Sequence, residues 1–176
     1  MKVIAPERVI AIDLHPLSFG YAMFEGPDEL VDWGIKSFRH GVNAVKVPLN
    51  VKLDLLLDMY GPDTVVIKEP RTAALKKLVR AITALAERRR IPVQTISAAS
   101  VRKAFPDGRH NKYQIASVIA KRYPELSPRL GQRRKLWQAE KYSMSIFDAA
   151  AIGIAYFGQD AMSENGNDRA FSPLPR

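Results

Sequence analysis

Three apolar, β-branched runs crowd into the first forty residues, and the segments between them are too short to cross a sheet. The first, Arg8–Asp13 (RVIAID), is followed closely by Phe19–Glu25 (FGYAMFE) and then by Leu30–Phe38 (LVDWGIKSF), with Glu25-Gly26-Pro27-Asp28 as the second turn. A parallel crossover needs a dozen or more residues, so strands joined this tightly pair antiparallel. A doubly wound, all-parallel fold would not open with such a meander.

After it the pattern changes period. Val51–Tyr60 carries Leu53, Leu56, Leu57 and Tyr60 at helical spacing and stops at Gly61-Pro62-Asp63. Thr64–Glu69 (TVVIKE) reads as a fourth strand, Arg71–Arg90 as an amphipathic helix and Ile91–Ile96 as a fifth strand. Ser97 and Asn111 stand where they can cap two further helices. A basic loop, PRLGQRRK, leads to Leu136–Tyr142, and a last helix covers Ser145–Phe157. The expected class is α/β: a mixed five-stranded sheet with helices on its faces. Residues 1–157 form one domain, and the polar stretch 158–176 reads as a flexible tail.

The chain has no cysteine, which excludes disulfide scaffolds and thiolate metal sites. It has no apolar run long enough to span a bilayer and no basic-then-apolar leader, so a cytoplasmic protein without a membrane partner is expected. Its net charge of +9 is concentrated: Arg102 to Lys141 holds eleven Lys or Arg against Asp107, Glu125 and Glu140. Such a region suits a polyanion, nucleic acid above all, although a solvated basic surface has the same composition.

Two strands end in acids. Val9, Ala11 and Asp13 share one strand face, and Val65, Ile67 and Glu69 share one face of theirs. If these strands are parallel neighbours, the carboxylates lie side by side at one sheet end, which is costly unless a cation joins them. Singly, Asp13 reads as a turn residue and Glu69 as a strand end before Pro70. Asp148 opens a helix whose face, Ala151, Ile152 and Ala155, is suited to packing on the sheet. An acid there also suits the helix dipole.

The ordered set VIAIDLHPLSFGYAMFEG, VDWGIKSF, TVVIKEP, SAASVRKAF…NKYQIASVIAKRYPEL and FDAAAIGIAYF resembles the RuvC-like Holliday junction resolvases of the RNase H-like superfamily, from about residue 8 to residue 157. The resemblance implies the strand order 3-2-1-4-5 with strand 2 antiparallel. It implies an endonuclease that cuts phosphodiester bonds in branched DNA with two Mg²⁺ ions, Mn²⁺ being a substitute, and it allows a homodimer. Asp13, Glu69 and Asp148 match the family's metal-binding carboxylates. Ser145 stands where resolvases often carry another aspartate, leaving Glu140 as a substitute ligand or as a salt-bridge partner. Lys112 matches a frequent lysine and is assigned to substrate phosphate, while Arg109, Arg129, Arg133, Arg134 and Lys135 are candidate DNA-backbone contacts.

Two rival classes remain. One is a nucleic-acid-binding factor on the same fold with weak or no catalysis, which the missing aspartate allows. The other is an actin-like ATPase or sugar kinase, which needs glycine-rich phosphate loops and a duplicated domain that this chain lacks.

Overall fold

The structure is a computed structural model that describes residues 5–38, 48–106, 111–131 and 143–167, with side chains of the last helix described as far as Gln159. The meander consists of β1 (Arg8–His15), β2 (Ser18–Glu25) and β3 (Glu29–Ser37), each antiparallel to the next. β1 does not stop at Asp13. It continues through Leu14 and His15, which pair with Phe19 and Ser18 across a two-residue turn.

Helix α1 (Leu49–Tyr60) ends at Gly61, whose left-handed φ of 52° lets its N–H reach back to the Leu57 carbonyl at 3.0 Å. β4 (Thr64–Lys68), α2 (Ala73–Arg88), β5 (Val93–Ile96) and α3 (Ala98–Lys103) follow. Then come α4 (Lys112–Arg122), a 3₁₀ turn at Pro124–Leu126, the one-turn α5 (Ser127–Leu130) and α6 (Met144–Asn167). Ser97 and Asn111 cap as expected: their side chains accept the backbone N–H of Ser100 at 3.1 Å and of Gln114 at 2.9 Å. α6 runs through Gly158 to Asn167, where the polar sequence had led us to expect the chain to leave the helix at Gly158.

The five strands lie in the order β3-β2-β1-β4-β5, with β1, β4 and β5 mutually parallel. Alternation divides the core into two layers. Ile10, Ile12, Val65 and Ile67 pack with Leu53, Leu56, Leu57 and Ile82 of α1 and α2. Val9, Ala11, Ala22, Phe24 and Val66 pack with Ile119 of α4 and with Phe147, Ala150 and Ile152 of α6. α6 approaches β2 closely, because a Cβ on Gly153 would stand 2.3 Å from the Phe24 ring. The middle of α6 is tied by the Tyr156 hydroxyl, which donates to Glu7 at 2.8 Å; Glu7 also accepts the Thr64 hydroxyl of β4 at 2.8 Å. No described helix is long and apolar enough to cross a membrane.

Asp32 of β3 links the α1 layer to the sheet by accepting the hydroxyls of Tyr21 at 2.7 Å and Tyr60 at 2.5 Å. Burial and then the Asp32 hydrogen bond push the Tyr21 hydroxyl well above its usual range, and the same bond raises Tyr60 to about 12. Asp32→Ala leaves both donors without their acceptor and is expected to cost about 1–3 kcal/mol in urea unfolding. Asp32→Asn, which keeps an acceptor oxygen, should cost less.

Candidate active site

Asp13 is the most deeply buried carboxylate described, at 1% exposure, and both of its oxygens are engaged. On the β4 side, the Lys68 ammonium donates to Oδ1 at 3.1 Å. On the α6 side, the Ser145 hydroxyl donates to Oδ2 at 3.0 Å. His15 Nε2 also meets Oδ2, at 2.7 Å. Burial alone would raise the Asp13 carboxyl, but the His15 hydrogen bond and the Lys68 charge outweigh it and hold the group below the ordinary carboxylate range.

The register explains why Lys68 is the neighbour. β1 and β4 run parallel with Ile12 beside Ile67, so the next residues, Asp13 and Lys68, come alongside on the face toward α6. Glu69 lies one residue beyond the end of β4 and is exposed. Val65 and Ile67, whose face alternation assigns to Glu69, pack against α1 and α2 on the opposite side of the sheet. The expectation that Glu69 stands beside Asp13 is therefore corrected: a step of one residue along β4 exchanges an acid for a lysine.

Asp148 arrives from α6. A Cβ on Gly20, the residue paired with Asp13 on β2, would lie 2.3 Å from the Ser145 carbonyl oxygen, so the missing side chain lets the start of α6 settle on the sheet. Ser145 reaches Asp13, and Asp148 follows one turn later. Burial raises the Asp148 carboxyl, and the nearby Asp13 charge raises it further. Lys112, the first residue of α4, opposes this by donating to Asp148 Oδ2 at 2.8 Å. Asp13 and Asp148 thus come near one another, and Lys112, expected to meet substrate phosphate, is bonded to Asp148. Arg129 is placed on α5, while Arg109, Arg133, Arg134, Lys135, Glu140 and the segment 136–142 lie outside the described residues.

His15, the last residue of β1, is a further neighbour of Asp13. The hydrogen bond to Asp13 raises its pKa above 6.5, against the opposing effect of burial. A raised histidine stabilises the fold fully below its unfolded pKa and loses that contribution as pH rises through the folded value. An NMR titration of the His15 ring is expected to give a midpoint above 6.5, and Asp13→Asn should bring that midpoint down.

An Asp13 and Asp148 pair flanked by a serine hydroxyl is an all-oxygen set suited to one hard divalent cation, which takes one or two carboxylates and completes its shell with water and phosphate. Among the described residues, no group of three Asp, Glu, His or Cys side chains gathers into a metal site.

No protein-family model matches the chain, and no curated protein does. Solved structures do. RuvC of T. thermophilus in complex with Holliday junction substrate superposes with a TM-score of 0.63 at 15% identity, over 88% of this chain and 96% of that one. The fold is that of RuvC. A second Thermus thermophilus RuvC structure gives the same TM-score at 16% identity, over 89% of this chain and 96% of that one. The RuvC likeness extends to the mixed sheet and its 3-2-1-4-5 order, as the meander and the strands after it had led us to expect.

Proposed function

We propose that the protein is a divalent-metal-dependent endonuclease acting on branched DNA, with Asp13 and Asp148 at the centre of its cleavage site. The observation that carries this reading is the convergence of two carboxylates, one from β1 and one from α6, on a RuvC fold. Like charges brought together at the end of a sheet favour a cation between them. The T. thermophilus RuvC complex with Holliday junction substrate supports a branched substrate, and the net charge of +9 supports a nucleic acid in general.

Asp13 and Asp148 would hold Mg²⁺, which when bound polarises water and offsets charge at phosphorus. The hydrolysis forms a bond from water oxygen to phosphorus and breaks the bond from phosphorus to the leaving sugar oxygen, which takes up a proton. Lys112 stands beside Asp148 to meet a phosphate oxygen. The burial of Asp13 fixes its position before substrate arrives, so little reorganisation is needed.

A second reading is favoured by a specific pair of residues. Lys68 and Ser145 already satisfy Asp13, an arrangement that suits a protein that binds branched DNA without cutting it. Incubation with four-way junction, flap, fork and linear DNA, with Mg²⁺, with Mn²⁺ and with EDTA, separates the two. The nuclease reading expects metal-dependent cleavage of at least one branched substrate. Tight binding to junctions with no cutting in either metal would overturn it in favour of the second.

A further inference from the structure

We propose that Lys68 serves as a built-in cation in place of a second metal ion, so that the site works with one divalent ion and one ammonium group. The proposal rests on the nuclease reading above and concerns how that site is charged. Its basis is the way Asp13 divides its oxygens. Oδ2 faces α6, where Ser145 reaches it at 3.0 Å and His15 Nε2 meets it at 2.7 Å, and Asp148 stands one turn further along. Oδ1 faces β4, where the Lys68 ammonium lies at 3.1 Å.

A carboxylate that bridges two cations has one on each oxygen, and here the Oδ1 position is held by the Lys68 ammonium, while Oδ2 carries the Ser145 hydroxyl and the half-exposed His15 ring. The placement is fixed by backbone pairing, since Ile12 and Ile67 are partners and Asp13 and Lys68 come next. The lysine side chain is about one-third exposed, at 34%, so it is open to a ligand as well as bonded to Asp13. An ammonium group has three N–H donors, of which the Asp13 bond uses one. The others can meet a non-bridging oxygen of the scissile phosphate, placing positive charge where negative charge grows during hydrolysis. A divalent ion at the same place would face both the lysine charge and the absence of a neighbouring acid, since Glu69 stands past the end of β4 and is exposed. The chemistry assigned to Lys68 is electrostatic and moves no proton.

The test counts ions. Mn²⁺ is titrated into the full chain by calorimetry, with free Mn²⁺ read by electron paramagnetic resonance, and cleavage of a four-way junction is followed in parallel. The wild-type protein is expected to bind one Mn²⁺ per chain. Lys68→Met should still bind one, about tenfold more tightly because a like charge is gone. It should nevertheless cut about 10²-fold more slowly. A residue needed only for folding would not tighten metal binding while slowing the reaction. Lys68→Glu, checked for folding by circular dichroism, should bind two. Two ions on the wild-type chain would overturn the proposal and leave the nuclease reading standing, as would Lys68→Met cutting at the wild-type rate. No ion bound and no cleavage by the wild-type chain would overturn both.

Discussion

Asp13→Asn is expected to leave the protein folded and able to bind branched DNA while cleavage falls by about 10²–10³-fold or more. The amide has the shape of the carboxylate and can still accept the Ser145 hydroxyl, which reaches Oδ2 at 3.0 Å in the wild-type chain. What disappears is the charge. Lys68 and His15 lose their anion, and any cation between β1 and α6 loses the more rigid of its two ligands. The stability cost should be about 1–2 kcal/mol, the scale of a lost charge-assisted hydrogen bond, because Lys68 and His15 both reach solvent and can rehydrate. Binding is read by fluorescence anisotropy with a labelled junction, cleavage by gel and stability by urea unfolding. A variant that cuts at the wild-type rate would remove Asp13 from the centre of the site.

The second large effect is expected at a residue with no side chain. Gly20→Ala places a methyl group 2.3 Å from the Ser145 carbonyl oxygen and 2.4 Å from its hydroxyl. The hydroxyl could rotate away, but the carbonyl belongs to the helix backbone and can yield only if the start of α6 moves. Overpacking of this kind costs about 1–3 kcal/mol. It also separates Ser145 from Asp13 and carries Asp148 outward, and a misplacement of about 1 Å can cost about 10²-fold in rate. Gly20→Ala should therefore lose stability and cleavage together, unlike Asp13→Asn, which loses chiefly cleavage. Thermal unfolding and the junction assay run side by side check this, and a Gly20→Ala protein with normal values in both would mean that α6 does not rest on β2 as described.

Much of the fold was legible because its signals are local. Short turns force the meander, Gly61-Pro62 stops α1, and Ser97 and Asn111 can cap only the helices that follow them. Asp13 and Asp148 were legible as site candidates because each breaks or opens an apolar run. The partner of Asp13 was not, since alternation says which residues of one strand share a face but not which residue of the next strand lies opposite. One clue was available. The two apolar runs end on Ile12 and Ile67, and aligning those ends puts Asp13 beside Lys68 rather than Glu69. Ser145 was noticed as a departure from an expected acid; that it would donate to Asp13 follows only from the close contact at Gly20, which no periodicity encodes.

The last helix is held both at the site and at a second place away from it. Tyr156 is tethered to Glu7 and Gly153 lies against the Phe24 ring, while Ser145 is seated against Gly20 and bonded to Asp13, with Asp148 between the two anchors. From Tyr156 back to Asp148 is about 12 Å at 1.5 Å per residue. α6 is thus a bar pinned at two places, with a carboxylate on the stretch between them. A shift of about 1 Å at either anchor would reach that carboxylate, and about 1 Å is the span over which a metal or a phosphate is gained or lost. Substitutions around Glu7 and Phe24, remote from any reacting atom, would tune the site by changing where the bar comes to rest.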